Sequence, residues 1–494
     1  MTQTTYDVIV VGAANAGGFA AGAAAEKGAK VLVIDKKSSS DHLYRNTIAS
    51  VDSAAQKRAG VHIDKRELVE FLSAFAQDNV DQKLLWTWVN HSGEAMDWLE
   101  EQVLKTNGDH LHATGDAYYE HLINKAFPSG NEVTRDEKSW DQGWGKYVIQ
   151  KDRDLGVTFK YRTKLENLLT DAQNRVVGVR VKDTETNAIS EFTATKGVIL
   201  CTGGYGANEA LMQKWAPTLL QKNTYTQSPR DDGSGQLAAL AVGAARDDEP
   251  ASIIFDRGAV PVGTNIDDYY VKDWKSHQFV LGSYPLLKVN LKGERFFNES
   301  APYQFAMNSL RHQPGHLEVM VWNQKTMDNL QQFHTLGCSR LGWPGIFGAD
   351  GEKKLVQQYL EKGYVKQADS IEELAHKMQL PADQLQKTVA RYNDLCAAGE
   401  DQDFGKESYR MFPVDGGPYY AVTLGGILLA TLDGLHVNER MQVLDRNADP
   451  IQGLYAAGNC AGGFFWGAYP DRVPGLTASH AVTFGRLAGQ TVLA

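Results

Sequence analysis

Apolar and polar positions fall into short blocks at the start of the chain. Tyr6 to Val11 (YDVIVV) is an apolar run of strand length. The Ala-rich stretch Phe19 to Lys27 favours helix, and Gly28 ends it. Val31 to Ile34 is a second apolar run, closed by Asp35. This order predicts a βαβ unit. Two later runs have the same form, a strand passing into small residues: Gly197 to Tyr205 (GVILCTGGY) and Gly453 to Gly463 (GLYAAGNCAGG). Leu68 to Val103 repeats Leu, Phe and Trp every three or four positions. It predicts an amphipathic helix with Trp86, Trp88 and Trp98 on the core side. Asp231-Asp232-Gly233-Ser234-Gly235 marks a turn before a helix from Gln236 to Val242.

The turn after the first strand carries chemistry. Gly12 opens it, and Gly17 and Gly18 allow close packing of helix on strand. With an acidic residue about twenty positions on, this is a dinucleotide fingerprint. A helix N-terminus faces a pyrophosphate, and the Asp35 carboxylate accepts from a ribose hydroxyl. The second glycine of the fingerprint is Ala14 here, whose methyl narrows the approach. Gly12, Ala14, Asn15, Ala16, Gly17, Asp35 and Lys36 are the candidate contacts at this end.

Composition narrows the classes. The chain has 494 residues, 43% hydrophobic and 22% charged, enough for a sizeable core and for two or three domains. A net charge of -10 with no basic stripe argues against nucleic acid. Cys201, Cys338, Cys396 and Cys460 are scattered, without a CxxC pair, which suits a reduced cytoplasm. The N-terminal residues lack a signal-peptide pattern, and no apolar run is long enough to span a membrane. His110 and His112 form one HxH pair without an obvious third ligand, so no metal site is expected.

The N-terminal βαβ, the central TGGY and the C-terminal GLYAAGN together resemble the fumarate reductase flavoprotein and 3-ketosteroid Δ1-dehydrogenase superfamily. VNLKGERFFNESAPY (Val289 to Tyr303), TVARYNDLCAAGEDQDFGK (Thr388 to Lys406) and YPDRVPGLTASHAVTFGRLAG (Tyr469 to Gly489) match further segments of it. The resemblance implies an α/β fold: a discontinuous Rossmann-like FAD-binding domain with an inserted α+β cap. The expected boundaries are 1–240 and 409–494 for the FAD domain and 241–408 for the cap. Non-covalent FAD is implied, with Thr202, Gly203, Gly204, Gly458, Asn459, Gly475, Leu476 and Thr477 as contacts, and Asn46 and Thr47 in a loop passing the flavin. Glu299 is expected to bridge cap and FAD domain.

For the reaction, the resemblance offers two patterns. In the fumarate pattern, segment matching puts the donor arginine near Met327 and the histidine-threonine pair at Ala430-Thr431. The arginine expected four residues after Glu299 is Tyr303, and only Arg472 survives. The ketosteroid pattern fits better: Tyr303 to move a proton, Tyr469 to hold a carbonyl oxygen, Asn459 in place of the more usual glutamate, and Tyr118 or Tyr119 as a third tyrosine. Arg472 has no counterpart there and suits a smaller, more polar substrate with a carboxylate. The implied activity is hydride transfer between flavin and a carbon–carbon bond beside a ketone or carboxylate, with an external electron carrier. The alternatives are a fumarate-reductase-like enoate reductase on a small acid, FAD-dependent oxidation of a C–OH or C–N bond, and a flavin-fold binding protein without turnover.

Overall fold

Thr5–Val11 lies at the centre of a sheet with a parallel neighbour on each side, Val31–Ile34 and Ile189–Leu200. The structure, a computed structural model, describes residues 5–39, 47–114, 125–136, 139–140, 143–220, 223–226, 228–265, 277–330 and 349–494. The chain divides into two units. One holds residues 1–208, 231–251 and 431–494; the other holds 209–230 and 252–430.

The first unit is Rossmann-like. Its sheet runs Gln442–Leu444, Pro450–Ala456, Ile189–Leu200, Thr5–Val11, Val31–Ile34, Thr158–Lys160, and Thr163–Thr170 and Val176–Asp183 extend it through Ile189–Leu200. Val11 pairs with Leu200 and with Ile34, and Leu200 pairs with Ala456. Four strands therefore end in register, and Gly12, Asp35, Cys201 and Ala457 leave the sheet at one edge. In an open parallel sheet, this is the edge where ligands bind.

Two helices cover one face, Asn15–Glu26 and Leu476–Thr491. They touch through glycines: a Cβ on Gly485 would lie 2.3 Å from Ala16 O, and one on Gly489 2.1 Å from Ala20 O. Phe19, Trp98, Leu99, Trp144 and Val482 share the apolar cluster beneath. The helix expected over Leu68 to Val103 is two, Lys65–Phe75 and Gln82–Leu99, the second running on as a wider turn over Glu100–Leu104. Gln77 and Asp78 at positive φ break it, and Asp81 caps the restart by accepting from Lys83 N–H at 2.9 Å. Trp88 and Trp98 are buried, but Trp86 is 39% exposed.

The second unit is built on another sheet. Leu287–Asn290, Glu318–Asn323, Tyr419–Thr431 and Ala251–Val260 are successive neighbours, and Asn223–Thr226 and Val365–Ala368 also pair with Tyr419–Thr431. Ala349–Glu361, Ile371–Met378 and Ala382–Ala398 pack apolar faces onto it.

Candidate flavin site

At the sheet edge of the first unit, backbone geometry demands glycine twice. Gly12 sits at φ +104, and a Cβ there would lie 2.3 Å from Cys201 O. A Cβ on Gly17 would lie 1.8 Å from Gly12 O. Ala14 is the N-cap of Asn15–Glu26, with no side-chain cap and no acidic residue in the first turn. The first N–H groups of that helix, at Asn15, Ala16 and Gly17, are thus left to an anion.

Asp35 braces this turn. Its Oδ2 accepts from Ala13 N–H at 2.8 Å and its Oδ1 from Lys37 N–H at 2.8 Å. A carboxylate oxygen accepts more than one hydrogen bond, so a ribose hydroxyl still has acceptors here. Lys36 pairs with Asp232 at 3.0 Å, and Lys164 meets the same carboxylate at 3.1 Å. Burial alone would raise the Asp232 pKa, but Lys36 outweighs it and holds the carboxyl below its usual range. Burial pushes neighbouring Asp231 up to about 6, against the pull of Lys36. A Cβ on Gly203 would lie 2.9 Å from Asp231 Oδ1, and one on Gly204 2.1 Å from Thr431 Oγ1. The Thr202 hydroxyl donates to Cys460 Sγ at 3.3 Å. Burial raises both Cys201 and Cys460, the latter to about 11, so neither is a thiolate at neutral pH.

The other end gathers around Leu476–Thr491. Gly475, at φ +82, is its N-cap, again without a side-chain cap. A Cβ on Gly475 would lie 2.7 Å from Thr47 O and from Ala49 N. The Thr477 hydroxyl donates to Asn459 Oδ1 at 3.3 Å, and Gly458, at φ +68, approaches Ala16. Thr47, Gly458, Asn459, Leu476 and Thr477 are therefore brought together. Tyr469 joins them: the Thr477 N–H donates to its hydroxyl oxygen at 3.4 Å. Arg472 is 4% exposed, and its Nη1 lies 3.6 Å from Asp471 Oδ2. Nothing in the YPDRVPG motif singles out Asp471. Asn46, Tyr118 and Tyr119 lie outside the described residues.

His480, one turn into the same helix, is buried among Phe464, Phe465 and Phe484. Burial pushes its imidazole down to about 3, and among the described residues neither ring nitrogen has a hydrogen-bond partner. Asp433, in the LDG that follows GILLAT, likewise has no motif signal. It takes the Tyr205 hydroxyl at 2.7 Å, Ala251 N–H at 3.1 Å and the Arg246 guanidinium. Burial lifts it to about 6, with Arg246 opposing.

Tyr303 belongs to the second unit. It is the first residue of Tyr303–Leu310, directly after Pro302, and its ring meets Phe255 edge to face at 5.1 Å. Met327 is buried in an apolar cluster. Thr431 Oγ1 accepts Tyr205 N–H at 3.0 Å. The positions matched to a fumarate-type donor and clamp are thus core and scaffold. The NE and DFGK motifs form one ion-pair brace. Arg295 forks onto Glu299 at 2.9 Å through two nitrogens and onto Asp401 at 3.1 and 2.9 Å, and Lys406 lies 3.5 Å from Glu299. Among the described residues, the charge partners of Glu299 are Arg295 and Lys406, both of the second unit.

These residues fit FAD. Two helix N-termini without side-chain caps, a turn that excludes side chains and an acidic residue beside it would suit a pyrophosphate, a flavin carbonyl and a ribose. Among the described residues no group of three His, Cys, Asp or Glu side chains forms a metal site, and no helix is long and apolar enough to cross a membrane.

Comparisons with known proteins point the same way. The model of the FAD binding domain family matches residues 7–472. The vinyl phenol reductase of Lactiplantibacillus plantarum is 28% identical, over 98% of this chain and 96% of its own length. The urocanate reductase of Eggerthella lenta is 27% identical, over 99% and 75%. The solved 3-ketosteroid Δ1-dehydrogenase of Sterolibacterium denitrificans shares the fold with a TM-score of 0.75 at 20% identity, covering 99% of both chains. The chain belongs to the FAD binding domain family and is an FAD-dependent oxidoreductase.

Proposed function

We propose that this enzyme reduces or forms a carbon–carbon double bond beside an activating ketone, carboxylate or conjugated phenol. One observation carries the reading: the Tyr469 hydroxyl sits at the N-terminus of Leu476–Thr491, at the Thr477 N–H, among the residues gathered for the flavin. The relatives named as reductases of vinyl phenol and of urocanate support it. Bound FAD supplies or accepts the hydride at N5. Tyr303 moves the proton at the neighbouring carbon. Tyr469 holds the activating oxygen, and Arg472 draws a polar or acidic group toward the flavin segment. Asp471 beside it tempers that attraction, which favours a partly neutral substrate over a dicarboxylate. FAD is held without a covalent bond, and its electrons are exchanged with an external carrier in the cytoplasm.

Oxidation of a C–OH or C–N bond needs a base near the flavin. His480 is sealed among aromatic rings and does not supply one. Anaerobic titration of the flavin tests the reading. The oxidised enzyme should bleach with a saturated ketone or acid, or the reduced enzyme should reoxidise with an enone, an enoate or a vinyl phenol. Bleaching by alcohols or amines alone would overturn it.

A further inference from the structure

Tyr303 has a cation against its ring. Phe255 and Arg257 are two residues apart on Ala251–Val260, and so share a face of the strand. The Arg257 guanidinium carbon lies 4.2 Å from the Phe255 ring centre and 5.4 Å from that of Tyr303. Its Nε donates to Ser283 Oγ at 2.7 Å, and the Ser283 hydroxyl donates to Asp256 Oδ1 at 2.6 Å. Arg257 is 2% exposed, so two rings and a hydrogen bond fix its plane. Asp256 also takes the Lys288 ammonium, which lies 3.3 Å from Glu318. The Asp256 carboxylate is thus matched by a lysine, and reaches Arg257 through the Ser283 hydroxyl.

We propose that Arg257 is a positioning residue for the proton step, holding the Tyr303 ring and stabilising the phenolate left when its proton departs. This rests on the reading of Tyr303 as proton carrier. In the reducing direction bound FAD, reduced by the external donor, would supply the hydride for one carbon of the double bond. The Tyr303 O–H bond breaks, and its proton forms a C–H bond at the adjacent carbon. The electron pair stays on the phenolate oxygen until a solvent proton restores the phenol. Desaturation runs the same steps backwards. A phenolate formed away from bulk water is costly without a nearby positive charge, and a guanidinium on the ring supplies one without being able to lose its own proton. Among the described residues, the titratable groups around this corner include Tyr284, whose hydroxyl donates to Glu352 Oε1 at 3.0 Å, and the Asp256–Lys288–Glu318 set. Gln304, next in the helix, is uncharged and engaged with Ser252.

The experiment is an ultraviolet titration of tyrosinate in the FAD-loaded enzyme, alongside steady-state kinetics. One ionisation should vanish in Tyr303→Phe. The same ionisation should move to higher pH in Arg257→Gln and return toward wild type in Arg257→Lys. In Arg257→Gln, kcat should fall about ten- to a hundredfold while KM stays within about twofold. An unmoved ionisation would overturn the proposal. So would a raised KM at unchanged kcat, which would make Arg257 a substrate anchor. If Arg257→Gln does not fold, Ser283→Ala removes the Nε acceptor and keeps the charge. It should lower kcat in the same way, and unchanged kcat and titration there would overturn the proposal. Failure of the wider reading looks different: the titration behaves as expected, but no unsaturated or saturated carbonyl compound exchanges electrons with the flavin.

Discussion

On the proposed assignment of the first turn to FAD, single residues there decide how tightly it is held, and Gly17 and Ala14 pull in opposite directions. A methyl on Gly17 collides with Gly12 O, a backbone atom fixed by the strand end. Gly17→Ala is expected to yield a colourless protein, with FAD affinity down at least about a hundredfold, since about 3 kcal/mol of strain falls on the binding turn. Ala14 stands where the fingerprint has glycine, at an N-cap whose side chain makes no bond. Ala14→Gly is expected to keep FAD or bind it more tightly. Fluorescence titration of the apoprotein with FAD reads both, and a yellow Gly17→Ala enzyme would contradict the assignment of this turn. These positions were legible in the sequence because a clash between backbone and Cβ leaves a residue-type signature. Asp471 and Asp433 were not. An aspartate beside an arginine, or at the foot of a strand, reads as an ordinary turn residue until the chain closes over it. Arg257 escaped for the same reason: its partner Tyr303 lies 46 positions away, and no spacing rule links a strand arginine to a helix tyrosine.

Elements were legible where period and punctuation agreed. The first βαβ unit shows its strands as apolar runs and its helix as an Ala-rich block between glycines, and both strands and helix are found there. The run from Leu68 to Val103 kept helical spacing through a break, because Gln77 and Asp78 are not obvious breakers; only their positive φ stops the helix. The NE and DFGK motifs were visible as motifs, but their purpose lay in a tertiary pairing. Arg295 ties the loop after Leu287–Asn290 to the segment after Ala382–Ala398. Asp401 is held at about 2, burial being outweighed by Arg295 and by backbone N–H donors. Its folded pKa is thus below the unfolded value of ~3.9, so it contributes stability above pH ~4 that is lost as the pH falls through about 2. Asp401→Asn is expected to cost about 1–2 kcal/mol at pH 7 after allowance for solvent screening. The cost should shrink steadily from pH ~4 downwards. Urea unfolding of both proteins across this range checks it, and a pH-independent difference would mean that the charge on Asp401 contributes nothing to the cost.

At the scale of the whole molecule, the residues assigned to FAD and the residue assigned to the proton fall in different units. Gly12, Asp35, Thr202, Asn459 and Thr477 belong to the first unit, and Tyr303 with Arg257 to the second. The sequence shows why this division is hard to place from patterns. The chain crosses between units at 208/209, 230/231, 251/252 and 430/431, and two of those points lie in or beside continuous strands, Ala251–Val260 and Tyr419–Thr431. A strand carries no punctuation at a boundary that runs through it. The division has a thermodynamic consequence. A ligand that binds only the folded state stabilises what it touches by RT ln(1 + [L]/Kd), about 4 kcal/mol at a thousandfold excess over Kd. FAD contacts confined to the first unit should concentrate that gain there. On FAD removal, amide hydrogen exchange is expected to quicken most at Gly12 to Gly17, Thr202 to Gly204, Gly458 to Asn459 and Gly475 to Thr477. Glu318–Asn323 and its neighbours in the second sheet should change far less, because its ladder partners on both sides are residues of the second unit. Comparing exchange in the FAD-loaded and FAD-free chain decides it. Equal deprotection of both sheets would mean that the flavin stabilises the second unit as strongly as the first, and the cofactor contacts would then have to be sought there too.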